Sequence, residues 1–197
     1  MTEPIDVRER AGICDLFDEL GPDAPTLCEG WTTADLAAHL VLREHFSRWS
    51  DKQRAAEKAK GYPAVVARLR AGAPLVPWRL PRVRNLLNGL EFFIHHEDVR
   101  RANGREPRPE MADLEALAWR LTGYSGKRLA RAIRPNGLDL VRPDGARRTR
   151  GSGDMAVLTG PATELILYLG GRRATAHVTL SGPDDAVAAV ERTTLKL

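Results

Sequence analysis

Hydrophobic side chains recur at helical spacing over most of the chain before residue 134. This period predicts four long helices, over residues 6–20, from 33 past 49, over 87–103 and over 111–133. Beyond residue 134 the pattern alternates, which predicts strands over 137–142, 146–151 and 175–181. Two further helices are predicted there, over 160–169 and 183–192, each beginning beside a proline. Helices first and then mixed strands and helices indicate an α+β protein.

The uneven connections between the long helices are typical of a four-helix bundle. We therefore expect a helical bundle over residues 1–133 and a small α/β C-terminal domain over 134–197. The second domain is too small to bury much surface alone, so we expect it to pack on the bundle. Prolines are dense between residues 61 and 81, which predicts a surface connection with a short possible helix over 64–70.

The helix over 87–103 has an unusual distribution of polar residues. At about 100° per residue, Glu91, His95 and Asp98 fall in one narrow wedge, and apolar residues cover most of the remaining circumference. Such a helix should be buried, with its polar wedge facing the interior. A buried carboxylate is costly unless it is paired or bound to a cation. The wedge therefore indicates a metal site, although a Glu and a His four residues apart are more often an ordinary surface pair.

The helix that follows Thr32 supplies a further candidate ligand. Thr32 and Asp35 have the spacing of a capping box, which fixes the register of the helix. In that register His39 faces inward, and Arg43 lies on the same side one turn later. His39, Glu91 and His95 would give the three protein ligands and open position of a catalytic zinc site.

Three other residues bear on this site. Asp98 lies one turn beyond His95 and could orient a metal ligand without binding the metal itself. His96 is a rival ligand, but its side of the helix favours a packed histidine. Cys28 precedes the cap and is a possible fourth ligand, although a packed loop cysteine is the more ordinary interpretation.

Composition limits the classes of function. The chain has 43% hydrophobic and 28% charged residues, as globular proteins do, and a formal net charge of +4. No run of basic residues is interleaved with aromatic ones, so we do not expect nucleic acid as the partner. The N-terminus has no signal-peptide pattern, no segment is long enough to cross a membrane, and two cysteines form no disulfide framework. We therefore expect a cytoplasmic protein.

Three segments are similar to a known family. They read TLCEGWTTADLAAHL at 26–40, LEFFIHHEDVRRA at 90–102 and GPATELILYLGGRR at 160–173. They resemble an actinobacterial family of metal-binding proteins related to mycothiol-dependent maleylpyruvate isomerase and, more distantly, to DinB-like four-helix bundles. The resemblance implies a divalent metal ion, most often zinc, held by His39, Glu91 and His95.

The resemblance also implies a function. It indicates a transferase or isomerase in which mycothiol, a low-molecular-weight thiol, reacts with a small electrophile. Arg43 and Arg172 are the candidate residues for binding a substrate carboxylate. The alternatives are a metal-containing binding or regulatory module without catalysis, and a structural bundle in which Glu91 pairs with an arginine.

Overall fold

A computed structural model of the chain describes residues 3–45, 50–72 and 81–194, and the side chains of 81–87 are not described. The chain divides into two compact units, Met1–Arg108 and Pro109–Leu197. The first unit is helical, and the second combines three helices with a four-stranded sheet in the described residues. The expected α+β class is confirmed, whereas the four-helix bundle stays a prediction.

The first unit holds five described helices. They are α1 (Ile5–Leu20), α2 (Thr33–Glu44), α3 (Asp51–Lys58), α4 (Tyr62–Ala71) and α5 (Pro81–Ala102). Helix α1 packs against α5 and α4, and α2 packs against α3 and α4. The apolar faces of α1, α2, α4 and α5 meet in one core, which includes the buried side chains of Phe17, Leu36, Leu40, Leu69 and Phe92.

Two predictions for this unit are wrong. The second helix does not run past residue 49, because α2 ends at Glu44 and a separate helix, α3, begins after Ser50. The short helix predicted over 64–70 is confirmed as α4, but it is not part of a surface connection, since Val65, Val66 and Leu69 lie in the core. The prolines at 74 and 77 lie outside the described residues.

The second unit begins with α6 (Ala112–Ala132) and continues through β1 (Gly137–Val141), β2 (Arg147–Arg150), β3 (Met155–Thr159), α7 (Ala162–Leu169), β4 (Thr179–Ser181) and α8 (Asp184–Arg192). The sheet order is β2-β1-β3-β4, with β1 parallel to β3 and the other two pairs antiparallel. The predicted strand over 175–181 is shorter than expected, since only Thr179–Ser181 pairs with β3.

A buried carboxylate on α6 joins this helix to α7 within the second unit. Glu115 on α6 accepts hydrogen bonds from the backbone N–H groups of Ala162 (2.7 Å) and Thr163 (3.1 Å) at the start of α7. A carboxylate at a helix N-terminus satisfies unpaired donors and the positive end of the helix dipole. Glu115 therefore links α6 to α7 within the unit Pro109–Leu197.

Candidate metal centre

Two helices of the first unit bring the three predicted ligands together. His39 lies on α2, and Glu91 and His95 lie one turn apart on α5. His95 Nε2 is 3.3 Å from Glu91 Oε1, and His39 Nε2 is 3.9 Å from the same oxygen. The two imidazole rings meet edge to face with their centroids 5.5 Å apart. The donor atoms thus converge on one point between the helices.

The position of His39 follows from the start of α2. The capping box forms as predicted, with Thr32 N donating to Asp35 Oδ2 at 3.2 Å. Trp31 packs against the His39 ring, with the ring centroids 5.1 Å apart. A helix that begins at a fixed residue has a fixed register, so the cap determines which way His39 points.

The spacing of these donors fits a divalent transition-metal ion. Zinc binds nitrogen and carboxylate oxygen at about 2.0–2.2 Å, so donors in a tetrahedral site lie about 3.3–3.5 Å apart. The Glu91–His95 separation meets this value, and a shift of His39 by about half an ångström would meet it as well. Imidazole ligands favour zinc and related ions over magnesium or calcium.

The centre is open enough for a small ligand. The side chains of His39 and His95 are 14% and 10% exposed, and that of Glu91 is 31% exposed. A cation held by three protein ligands at such a site would keep a coordination position for a further group. The wedge on α5 is therefore less completely buried than the helical pattern predicted.

His95 has a second set of neighbours at its other ring nitrogen. Its Nδ1 lies 2.9 Å from Asp98 Oδ2, and Cys28 Sγ lies 3.8 Å from Nδ1 and 3.4 Å from that carboxylate oxygen. An ionised carboxylate only accepts hydrogen bonds, so it holds a proton on Nδ1 and leaves Nε2 as the metal-binding nitrogen. Cys28 approaches the Nδ1 side and not the Nε2 side.

Charge coupling shifts both groups on α5. Burial alone would raise the pKa of Glu91. Hydrogen bonds from His39 and His95, and the charges of His95 and Arg43, lower this pKa by more, so it lies far below its usual range. Burial lowers the pKa of His95, but Asp98, Cys28 and Glu91 together hold it well above its usual range. A metal ion must displace the proton from Nε2, so its binding should weaken in acid.

A network of hydrogen bonds between largely buried polar side chains extends to Glu91 in the candidate metal centre. Arg43 Nε lies 3.1 Å from Glu91 Oε1, and its Nη1 donates to Asn88 Oδ1 at 2.6 Å. Asn88 Nδ2 donates to Glu44 Oε1 at 2.8 Å, and Arg10 also donates to that oxygen. Asn88 and Glu44 are buried. This hydrogen-bond network holds the guanidinium of Arg43 beside the candidate ligands.

The sequence analysis did not predict this hydrogen-bond network, but the position of Asn88 was a signal for it. Asn88 lies three residues before Glu91, on the same stripe of α5 as His95 and Asp98. Its partner Glu44 lies on the other helix and has no local signal.

The remaining candidate residues lie elsewhere. His96, the rival ligand, is buried with Nδ1 3.1 Å from Glu9 Oε2 on α1, so it belongs to a separate ion-pair cluster. Arg172 lies in the second unit and donates to the carbonyl of Gly170 at 2.6 Å. Cys14 is buried in the core, and burial raises the pKa of its thiol to about 12.

None of the described helices is both long and apolar enough to cross a membrane.

The fold resembles that of a solved enzyme. The crystal structure of the mycothiol-dependent maleylpyruvate isomerase matches with a TM-score of 0.60 and 18% identity over 90% of each chain. A mutant of that isomerase, with a histidine replaced by alanine, matches with a TM-score of 0.60 and 17% identity over 90% of each chain. No protein-family model and no curated protein matches the sequence. The relation that the three sequence segments indicated is confirmed at the level of the fold.

Proposed function

We propose that the chain binds a divalent metal ion, most readily zinc, through His39, Glu91 and His95. The observation that carries the proposal is the convergence of their donor atoms, which all lie within 4.8 Å of one another. Two neutral imidazoles and one carboxylate leave a net positive charge on a bound zinc ion, which suits an anionic ligand such as a thiolate. The DinB-like four-helix bundle remains part of this proposal.

We further propose that the protein is a transferase or isomerase in which a low-molecular-weight thiol such as mycothiol reacts with a small electrophile. A bound divalent cation would lower the pKa of a coordinated thiol, so that the thiolate is present at neutral pH. Supporting this proposal are the open side of the centre and the fold shared with a mycothiol-dependent isomerase.

Other residues of the chain would orient the metal ligands and bind the substrate. Asp98 holds the proton on His95 Nδ1 and so keeps Nε2 free to bind the ion. Arg43 lies beside Glu91 and is placed to bind a negatively charged group of a substrate near the cation. Arg172 is the other arginine proposed to bind a substrate carboxylate.

A pair of histidine variants tests the metal site. Protein purified without added metal should contain close to one equivalent of a divalent ion by elemental analysis, and His39→Ala should lose it. His45→Ala is the matched control, because His45 caps the same helix and contacts the carbonyl of Val41 instead. Metal content that is unchanged in His39→Ala would contradict the proposed ligands, and no metal in the unaltered chain would favour an ion pair of Glu91 with Arg43.

Thiol binding tests the enzymatic part separately. Calorimetry with mycothiol should show binding to the metal-loaded chain and none to His39→Ala, with His45→Ala binding as the unaltered chain does. Metal binding without any affinity for the thiol would reject the transferase or isomerase and favour a metal-containing binding or regulatory module.

A further inference from the structure

The second unit contains a cavity that the metal centre does not involve. It has a volume of about 550 Å³, which lies within the range of small-molecule sites. One wall is the C-terminal half of α6 with the residues just after it, and the other is the end of β2. Four cationic side chains line it: Lys127, Arg131, Arg134 and Arg150. No acidic side chain is among its lining residues in the described part of the chain.

Two glycines lie among the lining residues of this cavity. A Cβ at Gly123 on α6 would lie 2.7 Å from Arg148 Nη1, so a larger residue would displace that arginine. Gly151 has φ +82°, a conformation that favours glycine, and it lets the chain turn at the end of β2. These two lining positions therefore contribute no side chain to the cavity.

The cations around the cavity lack acidic partners. Across the described residues, no ion pair is found for any of the four lining cations, whereas nearby Arg147 pairs with Asp139 at 3.2 Å. Arg150 uses Nη1 for the carbonyl of Thr149 at 2.9 Å. Burial and, to a smaller extent, the charge of Arg150 lower the pKa of Arg148. The positive charge is thus concentrated and not neutralised within the unit.

Helix stability explains only part of this arrangement. Cations in the last turn of a helix favourably oppose the negative end of its dipole, which accounts for Arg131 and, just beyond the end, Arg134. It does not account for Arg150, which comes from a different element and lines the same cavity. Convergence of separate elements on one space is what a binding site requires.

We propose that this cavity binds a small molecule carrying a phosphate or diphosphate group. Arginine donates pairs of parallel hydrogen bonds to phosphate oxygens, and lysine adds a point charge. A single carboxylate would engage one guanidinium fully and leave the other cations without a partner, whereas a diphosphate offers several charges and oxygens. A half-open pocket of this size, bounded by two elements, fits a compact anion better than the extended basic stripe that a nucleic acid needs.

Inorganic pyrophosphate is the probe for this site, titrated by calorimetry into the full-length chain. We expect saturable binding of one pyrophosphate, weakened about tenfold or more in Arg131→Gln and in Arg150→Gln, since each removes a charge-assisted contact. Arg120→Gln is the matched control, because Arg120 is exposed on the same helix but does not line the cavity. Its affinity should stay within about twofold, as removing one distant surface charge has a small effect.

Three results would overturn the proposal. They are the absence of saturable pyrophosphate binding, an equal loss in Arg120→Gln, and binding of succinate as tight as that of pyrophosphate. Salt-sensitive binding of a short duplex DNA that Arg131→Gln and Arg150→Gln abolish, while pyrophosphate does not bind the unaltered chain, would assign these cations to nucleic acid and reject the proposal as well. Pyrophosphate also chelates divalent ions, so loss of its binding in Arg131→Gln and Arg150→Gln, but not in His39→Ala, assigns the binding to this cavity rather than to the metal centre.

Discussion

His95 is the residue on which the candidate metal centre depends, because its two ring nitrogens face different groups. Nε2 points to Glu91 and His39, whereas Nδ1 points to Asp98 and Cys28. The imidazole can serve a metal ion at one nitrogen only if the other is held in the protonated form. Asp98, which is fully buried, is the group that holds it.

Replacing Asp98 should therefore weaken metal binding without removing a ligand. We expect Asp98→Asn to lower zinc affinity by about 10–100-fold, as for other residues that orient a metal-bound histidine. Competition with a chromophoric chelator measures this change. Cys28→Ala removes the other group near Nδ1 and should leave the affinity nearly unaltered, because its sulfur lies on the side away from Nε2. A loss in Cys28→Ala as large as in His39→Ala would instead make Cys28 a ligand.

At this scale the sequence predicted neighbours along one helix. Glu91, His95 and Asp98 fall on one side of α5 because a helix repeats every 3.6 residues, and the structure places them so. The contact of Arg43 with Asn88 could not be predicted in this way. It joins two helices, and no local pattern specifies which residues meet across such an interface.

At the scale of single elements, the beginning of α2 shows how local chemistry supports the site. Asp35 accepts from Thr32 N within the capping box and also pairs with Lys58 at 2.7 Å and Arg54 at 3.3 Å. These partners come from α3, so one carboxylate fixes both the start of α2 and the packing of the next helix. The register of His39 depends on this junction.

The charge of Asp35 should make the fold sensitive to acid. Burial raises its pKa, but hydrogen bonds from Lys58 and Thr32 lower it more, so the folded pKa is below its ordinary value. Its stabilisation is then fully present above the unfolded-state pKa of about 3.9 and is lost as the pH falls through the folded pKa. We expect Asp35→Asn to lower the free energy of unfolding by about 1 kcal/mol at neutral pH.

Urea unfolding at neutral and acidic pH measures this effect. The difference between the unaltered chain and Asp35→Asn should shrink as the pH falls. Asp23→Asn is the control, since Asp23 is exposed in the turn before α2 and should change stability by less than about 0.5 kcal/mol. A difference for Asp35→Asn that persists undiminished in acid would show that its charge has no part in stability.

Element predictions were wrong where tertiary contacts decided the outcome. The short helix predicted over 64–70 begins slightly earlier, at Tyr62, because the proline at 63 lies in its first turn, where proline is tolerated. Val65, Val66 and Leu69 then bury against α1 and α2. Helix α6 was predicted at nearly the right residues, but its partners are α7 and β1. Periodicity identifies an apolar face and does not specify what covers it.

At the scale of the whole molecule, a metal ion would act as a stabilising ligand of the folded chain. An ion that binds only the native state stabilises it by about 2.7 kcal/mol when its concentration is 100 times the dissociation constant. We expect zinc to raise the midpoint of thermal unfolding, and a chelator to reverse the shift.

Variants assign this shift to the centre. Glu91→Gln and His39→Ala should abolish the effect of zinc, because the first removes the charge of the carboxylate ligand and the second removes a donor atom. His45→Ala should retain it. A midpoint that zinc does not move in the unaltered chain, or moves equally in all variants, would contradict binding at this centre.

The sequence by itself determined the local features: the helices and strands that follow from periodicity, the capping box at Thr32, and the shared side of Glu91 and His95 on one helix. These depend on residues a few positions apart, so spacing specifies them. Only the tertiary structure decided the rest. It brought His39 to Glu91, linked Arg43 to Arg10 through buried groups, and gathered cations from α6 and β2 around one cavity. These contacts depend on which apolar faces pack together, and packing is a property of the whole chain.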